Sequence, residues 1–168
     1  SAVLKAQGVT TYLSEISSLR RQKALDANIV DEVFNPKEVN VVEEMQKRTN
    51  GKGVDVAFEV TSVQAGFDTC LDAVRNQGMI VNVSIWGKPA AVDMRKIVLK
   101  ECYLTGIICY VNTHPKTIAL VESGKIDLKP FITKKIPLEE LVSGGFETLI
   151  HHNETAVKIL VDPAGRNW

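Results

Sequence analysis

Thr10-Thr11-Tyr12-Leu13-Ser14-Glu15 is a short β-prone run closed by an acid, and its last residue decides how the chain is read. A helix-like stretch, Val3-Leu4-Lys5-Ala6-Gln7-Gly8, stands ahead of it. An acidic side chain at the end of an early strand is the device by which dinucleotide-binding α/β folds read a ribose diol. In those folds a first strand and a Gly-x-Gly-x-x-Gly turn come earlier still. Neither precedes Thr10, so the sequence is expected to begin inside such a motif.

Outward from this run the pattern is alternation. Strand candidates are residues 10–14, 32–34, 54–60, 78–85, 101–109 and 157–161. Stretches of helical period separate them, which reads as βαβ units around a parallel sheet. Val54-Asp55-Val56-Ala57-Phe58 and Met79-Ile80-Val81-Asn82-Val83 are nearly apolar throughout, as expected of strands covered on both faces. Ser17 or Ser18 should cap a helix ending near Asn28, and Asn50-Gly51 should end one running from Asn40 to Arg48. Ser62 should open a helix over 64–74 with Ala65, Cys70 and Leu71 inward. Pro115 suits the first turn of a helix ending at Ser123-Gly124. A last helix over 138–151 should pack Leu141, Phe146, Leu149 and Ile150. No repeat or low-complexity linker interrupts the pattern, and one domain is expected.

The fold class implied is a doubly wound, Rossmann-type parallel α/β sheet lacking its first strand and glycine-rich turn. In the strand order 3-2-1-4-5-6 the absent strand falls between residues 10–14 and 54–60. Both neighbours would then strand buried backbone groups, at roughly 1–3 kcal/mol each. A longer parent protein is the expectation that follows.

Composition excludes several classes. Twenty basic and twenty acidic residues cancel, so nucleic acid is not an expected partner. No apolar run approaches the roughly 18 residues of a membrane span. Cys70, Cys102 and Cys109 are odd in number and lack a C-x-x-C spacing, which fits reduced cytoplasmic thiols. Asn82-Val83-Ser84 matches a glycosylation triplet but sits in an expected buried strand.

Candidate ligand-binding residues lie after the strands. A carboxylate at Glu15 suits a ribose diol and repels a 2′-phosphate, favouring NAD over NADP. It could equally begin the solvated first turn of the next helix. Arg20 and Arg21 could reach the ribose or a phosphate, or be exposed helix charges; an arginine beside the acid is also a means of holding NADP. Gly51-Lys52-Gly53 precedes a strand, whereas a phosphate loop follows one, so it is read as a turn. Trp86 could shield a pocket or fill the core. His151 and His152 are neighbours on a helix and poorly placed to clamp one metal; with His114 they form no zinc-like spacing.

The wording then becomes specific. Thr49-Asn50-Gly51-Lys52-Gly53-Val54-Asp55-Val56-Ala57-Phe58-Glu59-Val60-Thr61 resembles the fourth-strand signature of the zinc-dependent medium-chain dehydrogenases. Ser84-Ile85-Trp86-Gly87-Lys88-Pro89, Lys125-Ile126-Asp127-Leu128, Pro130-Phe131-Ile132-Thr133 and the closing Val157-Lys158-Ile159-Leu160-Val161 fit too. Within that family the sequence looks most like the 2,3-butanediol dehydrogenases, with sorbitol and threonine dehydrogenases behind them. The resemblance implies the cofactor NAD and hydride transfer to or from a secondary alcohol or vicinal diol. It implies that Glu15 binds ribose with Arg20 as basic partner, and that Val60 and Thr61 form the adenine-side wall. Val83, Ser84 and Ile85 would border the nicotinamide, and Ile107, Ile108 and Cys109 would flank its carboxamide. Ala91-Val92-Asp93 would lie near the two-fold contact of a homodimer or homotetramer. Zinc and its ligands, with all catalytic residues, would lie outside this sequence. Residues 1–168 would then be part of a C-terminal NAD-binding domain, with 131–168 packing back toward an N-terminal catalytic domain. Arg75-Asn76-Gln77-Gly78 departs from the family's Pro-Gly-Gly turn. The alternatives are a non-catalytic dinucleotide-binding or oligomerisation module and, more distantly, an S-adenosylmethionine methyltransferase.

Overall fold

The computed structural model describes residues 1–165. In chain order the elements are α1 (Ala2–Ala6), β1 (Tyr12–Ser14), α2 (Ser18–Asp26), β2 (Glu32–Phe34), α3 (Val41–Arg48), β3 (Val54–Glu59) and α4 (Gln64–Ala73). They continue with β4 (Val74–Asn82), α5 (Met94–Lys100), β5 (Tyr103–Gly106), α6 (His114–Glu122), β6 (Ile132–Pro137), α7 (Glu147–His151) and β7 (Lys158–Asp162). The chain forms two compact units: Ser1–Lys37 with Asn112–Trp168, and Glu38–Val111. Every described ladder is parallel: β1–β2, β3–β4–β5 and β6–β7. This is the expected α/β arrangement.

The unit Glu38–Val111 is built on β3, β4 and β5, with Ala57 opposite Ile80 and Ile80 opposite Leu104. Its core is Ala57, Phe67, Leu71, Val74, Ile80 and Cys102. Phe67 and Leu71 stand four residues apart and so share one face of α4. Ala65, expected to face inward, is exposed, because two residues before Phe67 is about 200° around the helix. β3 is covered on one face only. Ala57 and Glu59 are buried there, while Val56 and Phe58 on the opposite face are each 42% exposed, against the expectation of two covered faces.

Local signals account for most boundaries. Asn40 caps α3, accepting from the N–H groups of Val42 and Glu43. Gly53 has φ +91°, and a Cβ there would lie 2.5 Å from the Ala73 carbonyl oxygen, so this turn requires glycine. Val63, not Ser62, precedes α4; Ser62 has φ +58°. Residues 75–77, expected as a turn, run within β4, which starts at Val74. The sequence reading missed α5, although Asp93 caps it by accepting from Arg95 and Lys96. Glu101 (φ +50°) ends that helix, so β5 begins only at Tyr103; Cys109 (φ +50°) lies beyond its end. The Lys100 ammonium donates to the carbonyls of Leu71, Asp72 and Val74 at 2.7–2.8 Å, satisfying groups that α4 leaves open at its C-terminus.

In the other unit, β1 pairs with β2 through Tyr12 opposite Glu32 and Ser14 opposite Phe34. Ser17 caps α2, and Asn28, at φ +50°, provides the expected left-handed stop. Asp31 accepts from the Thr11 N–H at 2.8 Å and from Lys5, fixing the start of β1. β6 was not anticipated, because Lys134-Lys135 interrupts its apolar pattern; it pairs with β7, Ile136 facing Val161. The single helix expected over 138–151 is instead a 3₁₀ turn (Leu138–Glu140), a π-wound segment (Leu141–Phe146) and α7. The wider π winding breaks the 3.6-residue period, and Phe146, Leu149 and Ile150 are exposed rather than packed.

Leu71 is 1% exposed in the core of its unit. Leu71→Ala is expected to cost about 2–5 kcal/mol, and Leu99→Ala on exposed α5 less than about 0.5 kcal/mol, by urea denaturation.

Candidate functional site

Open parallel sheets bind ligands beyond the C-terminal ends of their strands. At the end of β1 the Glu15 N–H donates to the Phe34 carbonyl at 3.0 Å, which carries the ladder one step past Ser14. The Glu15 Oε1 accepts from the Ser17 N–H at 2.8 Å, orienting the carboxylate over the start of α2. Its Oε2 lies 3.9 Å from the Arg20 guanidinium, which also donates to the Asn153 carbonyl at 3.2 Å. Glu15 and Arg20 are therefore brought together. Arg21 is differently employed: it donates to the carbonyls of Glu15 and Ile16, both at 2.8 Å, and braces the turn.

The remaining candidates sit in the other unit, after β3, β4 and β5. A residue outside the sequence-based candidates, Glu59, organises them. It is 1% exposed at the end of β3. Its Oε1 accepts from the Thr61 N–H (2.6 Å), the Thr61 hydroxyl (2.5 Å) and the Ser62 N–H (3.1 Å). Its Oε2 accepts from the Ser84 hydroxyl, across the sheet at the end of β4. Burial alone would push the Glu59 carboxyl up; the hydrogen bonds from Ser84, Thr61 and Ser62 outweigh it and hold the group below its ordinary value. Desolvation by burial, with the nearby Glu59 charge added to it, pushes the Cys70 thiol up to about 11.

Further bonds tie the two turns. The Ser62 hydroxyl donates to the Ile85 carbonyl at 3.1 Å, and the Val83 N–H to the Glu59 carbonyl at 2.9 Å. Asn82 donates to the Ser84 carbonyl and accepts from the Trp86 indole at 2.9 Å, so both ends of its amide are engaged. Trp86 packs edge-on against Phe67, with ring centroids 6.4 Å apart, and so lies half-buried against the core. Val60, Val83 and Ile85 stay exposed beside this network. The Ile107 N–H donates to the Asn82 carbonyl at 3.1 Å; Ile107, Ile108 and Cys109 are all exposed.

Other candidates carry less. The N–H and C=O of Ala91 are both held by the Gln64 side chain, at 2.9 and 2.8 Å, and Asp93 is occupied capping α5. His151 and His152 pair with different acids, Glu147 and Glu154. Among the described residues no group of three or more His, Cys, Asp or Glu could hold a metal ion. A shallow depression of about 530 Å³ beside Asp72, Lys96 and Lys100 contains none of the candidate residues. No described helix is long and apolar enough to cross a membrane.

Parallel strands joined by helices, an acid closing β1 and polar turns at the ends of β3 and β4 define a protein of the doubly wound α/β class. The family model described as zinc-binding dehydrogenase matches residues 1–123, and the chain belongs to that family. It is 52% identical over 163 residues to (R,R)-butanediol dehydrogenase of Neisseria gonorrhoeae, covering 97% of this chain and 46% of that protein. The Bacillus subtilis (R,R)-butanediol dehydrogenase is 42% identical, with 95% and 46% covered. The crystal structure of 2R,3R-butanediol dehydrogenase from Bacillus subtilis superposes with a TM-score of 0.86 at 39% identity, over 96% of this chain and 46% of that one. The chain thus spans about half the length of the relatives it matches.

Because the Glu59 carboxyl is held below its ordinary value, its contribution to stability is complete above the ordinary glutamate range. That contribution is lost as pH falls through the lowered value. Urea midpoints followed from about pH 6 to about pH 3 should fall more for the wild type than for Glu59→Gln.

Proposed function

We propose that this chain is the NAD-binding part of a zinc-dependent dehydrogenase that moves a hydride between NAD and a secondary alcohol or vicinal diol such as 2,3-butanediol. The observation that carries this reading is 52% identity over 97% of the chain to a protein named (R,R)-butanediol dehydrogenase. The geometry at Glu15 supports the cofactor choice. One carboxylate oxygen is fixed by Ser17, while the other faces only a distant Arg20, so it can accept from a ribose hydroxyl. Arg21, the cation that could hold a 2′-phosphate, is spent on backbone carbonyls.

NAD, when bound, supplies the hydride acceptor. The residues of this chain bind and orient. Glu15 and Arg20 take the adenosine ribose, and Val60 and Thr61 give an apolar and a polar wall on the adenine side. Val83, Ser84, Ile85, Ile107, Ile108 and Cys109 line the nicotinamide end. None of them is assigned a catalytic step. The described residues do not fit a zinc site, so the metal's ligands are assigned outside them. Residues from Phe131 onward are proposed to pack toward a catalytic domain that supplies those ligands. The three unpaired cysteines support a cytoplasmic setting. A homodimer or homotetramer contacting near Ala91–Asp93 would meet side chains there rather than a free strand edge, given the Gln64 clamp.

The direct test is NAD-dependent oxidation of 2,3-butanediol by the full-length protein, which is expected to occur. Glu15→Ala should weaken NADH about tenfold, near 1.4 kcal/mol, and narrow its preference over NADPH. Unchanged NADH affinity by fluorescence titration would remove Glu15 from the site.

A further inference from the structure

The most heavily bonded titratable side chain in the unit Glu38–Val111 is one that the cofactor reading does not use. Glu59 is an ionised acid, almost fully buried, at the C-terminal end of β3. Removing a carboxylate from water without compensation is costly, and sites that keep one buried supply hydrogen bonds to it. Here the compensation comes from two turns that are far apart in sequence. Thr61 and Ser62 bind one oxygen, while Ser84 binds the other. The carboxylate therefore fixes the turn after β3 against the turn after β4.

Two further features are organised around this latch. Ser62 holds φ +58°, an uncommon conformation for a residue other than glycine, and its N–H and hydroxyl are both engaged across the latch. Gly66, in the first turn of α4, has no Cβ to collide with it. An added Cβ would lie 2.3 Å from the Thr61 hydroxyl oxygen and 3.3 Å from the Glu59 carboxylate. Glycine in a helix interior costs up to about 1 kcal/mol relative to alanine. The close approach of α4 to the latch is what this glycine permits.

We propose that Glu59 is a positioning residue for the dinucleotide: it touches no cofactor, but fixes the adenine-side Thr61-Ser62 turn against the nicotinamide-side Ser84-Ile85 turn in the spacing that receives it. This rests on the NAD-binding reading above. The consequence is selective. Loss of the latch should loosen the turns of this unit and weaken binding of the whole dinucleotide. AMP, which reaches only the adenine side, does not depend on that spacing and should be much less affected.

The experiment compares NADH and AMP binding to the full-length wild type, Glu59→Ala, Glu59→Gln and Gly66→Ala, by fluorescence titration and calorimetry. Glu59→Ala is expected to weaken NADH at least tenfold and AMP less than about twofold. Glu59→Gln should stay within about threefold of wild type, because its amide keeps an acceptor for Thr61 and Ser62 and the Ser84 hydroxyl can turn to accept. Gly66→Ala, favoured by helix propensity but with a methyl that displaces the Thr61 hydroxyl from the Glu59 carboxylate, should reproduce the selective loss if Glu59→Ala does not fold. Equal loss of both ligands would make the latch a purely structural device and overturn the proposal. Wild-type NADH affinity in both Glu59→Ala and Gly66→Ala would overturn it as well. A wild type that binds neither ligand would instead bring down the NAD-binding reading, and the proposal with it.

Discussion

A single buried negative charge constrains the unit Glu38–Val111. Glu59 ends a strand whose preceding inward residue, Ala57, lies in the apolar core, so its carboxylate has no route to bulk water. Hydrogen bonds to a charged group are each worth about 1.5–3 kcal/mol, and leaving such a group unpaired costs more. The chain meets the requirement with donors from the turn after β3 and from the turn after β4. Once those donors are committed, the spacing of the two turns is no longer free. Asn82 and Trp86 extend the constraint inward, and Trp86 carries it onto Phe67 in the core. The rim where a ligand would sit is thereby tied to the best-buried part of the unit.

The acid at the end of β1 works differently. Glu15 is partly exposed and only half committed, with one oxygen fixed by Ser17 and the other open toward Arg20. A carboxylate whose lone pairs are all used can hold loops but cannot recognise a ligand; one with acceptor capacity left can. The contrast supports the two roles proposed above, recognition for Glu15 and positioning for Glu59, although both are acids at strand ends.

Much of the fold could be read from residue patterns. The run 32–34 is a strand at the expected bounds, and the caps at Ser17 and Asn40 and the stop at Asn28 lie where polar side chains and left-handed tolerance put them. Signals that depend on tertiary context were not legible. Lys134-Lys135 hid β6, which is recognisable only through its pairing with β7. The helical period over 138–151 could not reveal that the backbone widens at the buried glycines Gly144 and Gly145. Glu59 stood inside an apolar run, and nothing local says that its partner Ser84 lies 25 residues further on. Of the site, the sequence showed residue types at strand ends; the bonds that link them appear only in the folded chain. The family assignment accounts for the alternation from α1 through α6, which the matched residues 1–123 span.

Amide hydrogen exchange on the full-length protein, with and without NAD, tests the central claim that these strand-end turns are the chain's cofactor-contacting elements. Added NAD is predicted to slow exchange at Glu15–Ser17, at Thr61 and Ser62, and at Ser84–Trp86, while α6 and the surface of α5 stay unchanged. Binding of NAD with no slowing in any of these three segments would contradict the account.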